Sequence, residues 1–203
     1  LDNSNLRVYR GDTVASPPLQ LMYPTITDPV LDVAAGDVNG GGADLITAQG
    51  DRIRVFNGST GVMLYQIMAP VIKVAAGDIT GDGNSDIVGI LSSGGARAWD
   101  GVTRAPLFTI SGPVVSVAVG DVIGDSRADV VVAETTRARV FSGPSGTSMY
   151  QIGQPLVKVA TVDINNDGKQ DIVSSLVGDS VARGYHGPTG NQLYQIDDPI
   201  KAT

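Results

Sequence analysis

The sequence predicts an all-β fold, a propeller-type array of four-stranded antiparallel blades. The 203 residues include 26 glycines and 42% hydrophobic residues, a composition that suits many short strands joined by tight turns. Glu134 is the only glutamate among 21 acidic residues, although helical surfaces usually carry many glutamates. A pattern that recurs about every 42 residues has the length of one four-stranded propeller blade.

The recurring pattern divides the chain into blade units. Four full units align, at residues 28–68, 69–111, 112–153 and 154–197. A half blade over residues 1–27 precedes them, and its segments Arg7–Gly11 and Leu19–Ile26 match only a third and a fourth strand. Residues 198–203 begin a further blade. We therefore expect one domain that is not a closed ring by itself, and that association of copies or a longer chain would complete.

Each unit contains four short runs that indicate strands, as the unit 69–111 illustrates. Val71–Ala76 comes first, and the β-branched run Ile87–Leu91 follows the acidic loop. The third run is Arg97-Ala-Trp-Asp-Gly101, and the fourth is Leu107–Ile110. Runs of this length bounded by Gly, Pro and Asp favour strands over helices. Alanines recur in the first run, which favours the innermost place near the axis, where space is smallest.

Eleven of the twenty aspartates lie in four loops between the first and second runs. The loops are Asp37-Val-Asn-Gly-Gly-Gly-Ala-Asp44, Asp78-Ile-Thr-Gly-Asp-Gly-Asn-Ser-Asp86, Asp121-Val-Ile-Gly-Asp-Ser-Arg-Ala-Asp129 and Asp163-Ile-Asn-Asn-Asp-Gly-Lys-Gln-Asp171. Clustered carboxylates repel one another unless a cation neutralises them. Calcium prefers several hard oxygen ligands, so the loops predict Ca2+ as the cofactor.

Two of the loops offer complete ligand sets. Positions 1, 3, 5 and 9 supply side-chain oxygens, and position 7 supplies a backbone carbonyl. The second loop provides Asp78, Thr80, Asp82, Asn84 and Asp86. The fourth loop provides Asp163, Asn165, Asp167, Lys169 and Asp171. Gly83 and Gly168 stand at position 6, where a sharp turn is needed.

The other two loops depart from this pattern. The third loop keeps four ligand positions, at Asp121, Asp125, Arg127 and Asp129. Ile123 offers no ligand at position 3, and Ser126 replaces the glycine. The first loop is one residue short, with Gly41 at position 5 and Asp44 out of register, so we expect little binding there. An EF-hand is excluded because position 12 holds no glutamate. The alternative reading is that the aspartates only cap tight turns.

At this point the repeat resembles a known family. The run from Val74 to Ile87, Val-Ala-Ala-Gly-Asp-Ile-Thr-Gly-Asp-Gly-Asn-Ser-Asp-Ile, is similar to the FG-GAP (VCBS-type) repeat of integrin α-subunit propellers and bacterial secreted proteins. The pattern Arg-Val-Phe-x-Gly at Arg54–Gly58 resembles the bacterial branch. The resemblance implies calcium between the first two strands of a blade. It also implies a module of an adhesin, a lectin or a polysaccharide-cleaving enzyme.

Composition bounds the function further. A net charge of −7 argues against nucleic acid, which needs a basic face. The chain has no cysteine, no apolar run long enough to span a membrane, and a single histidine, His186, without a repeated partner. We therefore expect a non-catalytic, secreted or cell-surface binding module whose partner is a protein or a glycan. Alternatives are a lectin, a non-catalytic part of a polysaccharide-degrading enzyme, or a structural spacer.

Three smaller features have both a functional and a packing interpretation. Arg10-Gly11-Asp12 spells an integrin-binding tripeptide, but it occupies the turn that reads Asn57-Gly58-Ser59 in the next unit, so we expect coincidence. Asn57-Gly58-Ser59 is a glycosylation sequon in that same turn. An aromatic residue stands two positions after a recurring arginine, and either packing or a ring of sugar sites would explain it. These aromatics are Tyr9, Phe56, Trp99, Phe141 and Tyr185.

Overall fold

The computed structural model describes residues 5–9, 21–22, 25–176 and 181–196. Within these ranges the protein is all-β, and its strands form four separate antiparallel sheets. The predicted propeller-type array of blades is therefore confirmed. No helix in the same ranges has the length and apolar character needed to cross a bilayer.

Each sheet is one blade of four consecutive strands. Blade 1 contains β1 (Asp32–Gly36), β2 (Asp44–Ala48), β3 (Arg52–Phe56) and β4 (Met63–Met68). Blade 2 contains β5 (Val71–Gly77), β6 (Asp86–Leu91), β7 (Ala96–Trp99) and β8 (Pro106–Ile110). Blade 3 contains β9 (Val114–Gly120), β10 (Asp129–Glu134), β11 (Ala138–Phe141) and β12 (Ser148–Ile152). Blade 4 contains β13 (Leu156–Val162), β14 (Asp171–Leu176), β15 (Ala182–Tyr185) and β16 (Gln192–Ile196).

The first strand of every blade is the innermost one. Strands pair in chain order within each sheet, and β1, β5, β9 and β13 contact one another in sequence. Small residues make this close approach feasible. A Cβ atom on Gly77 would lie 2.6 Å from a Val119 methyl group on the next first strand. The prediction from alanine content is thus confirmed.

The hydrophobic core consists of layers between neighbouring blades. Between blades 1 and 2, Ile46 and Val55 belong to the same cluster as Val71 and Trp99. Equivalent clusters join blade 2 to blade 3 and blade 3 to blade 4. The second strands of blades 2 and 3, β6 and β10, are buried on both faces, which explains their nearly continuous β-branched sequence. In β14 of blade 4, buried residues alternate with half-buried ones.

Before blade 1, two isolated bridges join residues of the two segments that the repeat assigns to a half blade. Leu6 pairs antiparallel with Ile26, and Tyr9 pairs with Leu21. The Leu6 amide donates to the Ile26 carbonyl and the Ile26 amide to the Leu6 carbonyl, both at 3.0 Å. The tripeptide at positions 10–12 and the residues 198–203 lie outside the described residues, so the structure gives no account of them.

Four of the five repeated aromatics pack in the core. Phe56, Trp99, Phe141 and Tyr185 are 3–7% exposed, so these four rings are not available as surface sugar sites. Tyr9, the fifth aromatic of the pattern, is 40% exposed. Two of the arginines that precede these aromatics stack over the ring on their own strand. The Arg97 guanidinium lies 5.9 Å from the Trp99 ring centroid, and the Arg139 guanidinium lies 4.9 Å from the Phe141 ring centroid.

Candidate metal-binding loops

All four acidic loops lie at one end of the blade array, here called the loop end. Each loop joins the first strand of a blade to the second, and the first strands run side by side around the axis. The turns between third and fourth strands reach the same end, because neighbouring strands are antiparallel. The repeat therefore gathers the predicted ligands in one region.

The aspartate at position 1 organises its own loop. In the second loop, one oxygen of Asp78 accepts the Gly81 and Asp82 amides at 2.6 and 3.1 Å, and the other accepts the Gly83 amide at 2.9 Å. In the third loop, Asp121 accepts the Gly124 amide at 2.7 Å in the same way. These bonds curl the loop around the carboxylate.

The aspartate at position 9 joins its loop to the rest of the blade through hydrogen bonds, a role that the repeat pattern did not predict. Asp86 is 1% exposed, and its Oδ2 accepts the Ile79 and Thr80 amides at 2.9 and 2.8 Å. Its Oδ1 accepts the Gly101 amide from the turn after β7 at 2.9 Å. The residue thus ties the loop to the third strand of its blade. Three aspartates make the corresponding bond to a turn glycine: Asp44, Asp129 and Asp171.

The turn glycine is required by this arrangement. A Cβ atom on Gly101 would lie 2.0 Å from the Ser85 carbonyl oxygen, and one on Gly58 would lie 1.9 Å from that of Ala43. The signal in the sequence was a glycine that follows the last aspartate of each loop by 14 to 16 residues. Its cause is close backbone packing against the loop.

Neighbouring loops are also bonded to each other. The residue at position 8 donates its amide to the carbonyl of position 1 in the preceding loop: Ser85 to Asp37 at 2.5 Å, Ala128 to Asp78 at 2.7 Å, and Gln170 to Asp121 at 2.8 Å. Side chains follow the same path, since Arg127 lies against Gly81 and Lys169 against Gly124. The four loops therefore form a continuous belt.

Position 5 holds the most accessible carboxylates. Asp82 Oδ1 accepts the Asn84 amide at 2.8 Å, and Asp125 and Asp167 accept the amide of their own position 7 at 3.0 and 2.9 Å. The other oxygen of Asp167 contacts His186 Nε2 at 3.0 Å. His186, in the turn after β15, is therefore a neighbour of the fourth loop, a contact that no sequence pattern indicated.

Backbone conformation at position 6 follows the predicted ranking of the loops. Gly83 and Gly168 have φ values of 87° and 84°, which confirms the sharp turn. Ser126 is forced to a φ of 71° in the third loop, a region that costs an ordinary side chain roughly 1–2 kcal/mol. The weaker match of the third loop is thus visible as backbone strain.

The first loop requires a correction. Asp44 is in register, because it pairs with Gly36 across the strands as Asp86 pairs with Gly77. Its oxygens accept the Val38 and Gly58 amides, both at 3.3 Å. The first loop is one residue shorter than the others, and the deletion lies between position 1 and Asp44. The loop therefore keeps the last aspartate, which accepts the turn-glycine amide, and lacks a carboxylate at position 5.

Burial favours the protonated form of two position-9 carboxylates, those of Asp86 and Asp129. It raises the pKa of Asp86, against the lowering effect of the three amides, and it raises the pKa of Asp129 to about 6. At position 1 of the first loop, the Gly42 amide lowers the pKa of Asp37. The amide of Lys169, followed by His186, lowers the pKa of Asp167. A nearby cation would favour the charged form at all four.

The donor set of the second and fourth loops fits calcium in its chemistry. Asp163 Oδ1, at ligand position 1, is buried and has no hydrogen-bond partner among the described residues. Thr80 Oγ1, at ligand position 3, is also buried, and its hydroxyl lowers the pKa of Asp86 through a side-chain contact. Carboxylate, hydroxyl and amide oxygens are the ligands that calcium takes. In the described part of the chain, however, no three acidic, His or Cys side chains converge on a common point. The position-9 carboxylates face backbone amides instead. Calcium ligation by the predicted residues stays a prediction.

Comparison with solved structures shows the fold. No protein-family model matches the chain, and neither does any curated protein. Sqt1 of Saccharomyces cerevisiae is similar with a TM-score of 0.70 and 11% identity over 95% of this chain. BBS1N in complex with ARL6DN gives 0.73 and 11% over 98%, and BamB from Moraxella catarrhalis gives 0.58 and 10% over 86%.

These likenesses concern architecture alone. This chain spans 52–62% of the length of the three structures. Their folds are of the β-propeller type, in agreement with the four blades described above. At 10–11% identity, these structures do not support assigning a role to any residue of the acidic loops. The chain is thus a β-propeller-type blade array with a belt of acidic loops at one end.

Proposed function

We propose that this chain is a calcium-stabilised, non-catalytic binding module of the FG-GAP type, secreted or displayed on a cell surface, whose ligand is a protein. The observation that carries the proposal is the pair of loops Asp78–Asp86 and Asp163–Asp171. Each combines hard oxygen donors with a buried oxygen at a ligand position: Asp163 Oδ1, which has no hydrogen-bond partner among the described residues, and Thr80 Oγ1, whose hydroxyl interacts with the Asp86 carboxylate.

Calcium would act on stability rather than on chemistry. Asp78, Thr80 and Asp82 would hold the ion in one loop, and Asp163 and Asp167 in the other. An ion bound there would neutralise carboxylates that the fold holds together. It would also reinforce the ties that already join each loop to the third strand. The two blades concerned would then resist local opening.

A protein ligand is supported by one of the structural neighbours. BBS1N was solved in complex with ARL6DN, so a propeller-type fold presents a surface for a protein there. The buried aromatics leave no repeated ring surface for sugars among Phe56, Trp99, Phe141 and Tyr185. Capture of partners from secretions or cell surfaces, beside a glycan array, tests this choice. Saturable glycan binding without any protein partner would favour the lectin alternative.

Removal of calcium is the first test. Extracellular modules bind calcium with a Kd of about 10⁻⁴–10⁻³ M, which at 1 mM calcium stabilises by about 0.4–1.4 kcal/mol per site. Two sites should raise the Tm by about 2–10 °C over chelator. Asp82→Ala and Asp167→Ala should each remove about half of this increment, and Asp125→Ala less.

The matched control is Asn39→Ala in the first loop, which should leave the increment unchanged because no carboxylate stands at position 5 there. Isothermal titration with calcium gives the site number independently. Identical melting curves with calcium and with chelator, together with no heat of binding, would contradict the proposal.

A further inference from the structure

The end of the blade array opposite the loop end has the reverse charge. The starts of the first and third strands and the hairpins between second and third strands lie there. Among the described residues of the four blades this end carries eight basic side chains: Arg52, Arg54, Lys73, Arg97, Arg137, Arg139, Lys158 and Arg183. Its acidic side chains are Asp28, Asp32, Asp51 and Glu134. The acidic chain therefore has a locally basic end.

A cavity of about 350 Å³ opens at this end among the innermost strands. Residues of all four blades line it, so it lies on the axis of the array. The polar lining residues are Asp32, Lys73, Ser116 and Lys158. Each stands three residues after a proline, at the same place in its repeat. Its volume lies in the lower part of the range of small-molecule pockets, roughly 300–1,000 Å³.

Three of these four side chains also tie neighbouring blades together. Asp32 Oδ2 accepts the Val74 amide at 3.0 Å, and Ser116 Oγ accepts the Val159 amide at 3.3 Å. The Lys73 ammonium donates to the Val115 carbonyl at 2.7 Å. These contacts fix the lining in place. They also leave Lys73 with two further N–H donors.

Lys158 differs from the other three. Its ammonium has no hydrogen-bond or ion-pair partner within the part of the chain that the structure describes, and neither lysine forms an ion pair with Asp32. Together Lys73 and Lys158 offer five unused N–H donors around one cavity. The formal charge of the four polar residues is +1.

We propose that the axial cavity binds a small organic anion through the ammonium groups of Lys73 and Lys158. Its size suits a molecule of about one sugar ring or less that bears a carboxylate, sulfate or phosphate group. Charge-assisted hydrogen bonds to such a group contribute about 1.5–3 kcal/mol each. The apolar side chains of Val74, Val117 and Val159 would contact the rest of the ligand. This site is independent of the calcium loops.

Titration calorimetry with sulfate, phosphate and D-glucuronate tests the proposal, each at constant ionic strength and beside neutral D-glucose. At least one anion should bind saturably below about 10 mM, and glucose should not. The anion that binds most tightly shows whether the site prefers a sulfate, a phosphate or a carboxylate group. Absence of saturable binding for all three anions, or equal binding of glucose, would overturn the proposal.

Variants locate the site. Lys158→Met removes a side chain without a protein partner and should weaken binding about tenfold or more, with the melting curve unchanged. Asp32→Asn should tighten binding about threefold, because the amide oxygen still accepts the Val74 amide while the negative charge is lost. Arg104→Met, in the turn between β7 and β8 at the loop end, is the control and should bind as the parent does. Unchanged affinity in both Lys158→Met and Asp32→Asn would refute the axial site.

Discussion

The turn glycines between third and fourth strands are the tightest residues of the repeat. Gly101 donates its amide to Asp86 and leaves no room for a Cβ atom against the Ser85 carbonyl. Gly101→Ala should therefore destabilise the protein by about 3 kcal/mol or more, since overpacking here meets backbone rather than a flexible side chain. Urea denaturation measures the loss.

Gly153 supplies the matched control for this substitution. A Cβ atom there would meet nothing within 4 Å, and the residue lies in the link between blades 3 and 4. Gly153→Ala should change stability by no more than about 0.5 kcal/mol. Equal effects of the two substitutions would show that the loop does not pack on the turn as described.

Ser126 is the residue whose replacement should stabilise the chain. Its φ of 71° suits glycine, which the second and fourth loops have at this position. Relief of about 1–2 kcal/mol of strain exceeds the added freedom of glycine in the unfolded state, about 0.4–1 kcal/mol. Ser126→Gly should thus gain about 0.5–1 kcal/mol in urea denaturation with chelator present. A loss of stability would contradict the strain assigned here.

At the scale of elements, a tyrosine of the fourth strand joins each of two blades to the next. The Tyr65 hydroxyl donates to the Gly101 carbonyl at 2.6 Å, and Tyr150 makes the same contact to Gly187. The Arg104 guanidinium lies 5.4 Å from the Tyr65 ring centroid. The blade-to-blade interface thus has a polar tie at its outer edge as well as an apolar interior.

Ionisation of Tyr65 should weaken this tie at high pH. Burial raises the pKa of Tyr65 to about 12 from its ordinary value of 10.0. The folded state therefore holds this proton when the unfolded state has lost it, so stability should fall as pH rises from about 10 to 12. Tyr65→Phe should cost about 1 kcal/mol at neutral pH and show a shallower decline in this window. The same slope in both proteins would argue against the assignment to Tyr65.

The elements were predictable from sequence because the repeat supplies the same evidence four times. Strand runs, loop positions and the glycine at position 6 all followed from local pattern. The second role of Asp86 did not, because its partner Gly101 lies 15 residues away and only the antiparallel register brings them together. The sequence could not decide whether the aromatics pack in the core or lie at the surface, since burial of Trp99 depends on contact with the neighbouring blade. The axial lysines were missed because their repeat position holds Asp32, Lys73, Ser116 and Lys158 in the four blades, so no single residue type marks it.

The whole molecule is electrically polarised along the propeller axis. Eleven carboxylates occupy the loop belt, with Arg127 and Lys169 as its basic members, while the axial lysines lie at the other end. Hydrogen bonds between successive loops hold these carboxylates in a fixed arc. Unfolding would separate them, so their mutual repulsion reduces the stability of the folded state when no cation is bound.

Salt should therefore stabilise the calcium-free protein. Raising NaCl from 0.02 to 0.2 M shortens the screening length from about 20 Å to about 7 Å, which weakens repulsion across the belt more than contacts at bonding distance. In chelator we expect the Tm to rise by a few degrees over this range. With 1 mM calcium the rise should be smaller, because bound ions already neutralise the loops. A double variant, Asp82→Asn with Asp167→Asn, should also reduce it in chelator, whereas Asp51→Asn at the opposite end should not. A Tm that falls with NaCl in chelator would mean that attraction between the two ends outweighs repulsion within the belt. Repulsion among the belt carboxylates would then not limit stability.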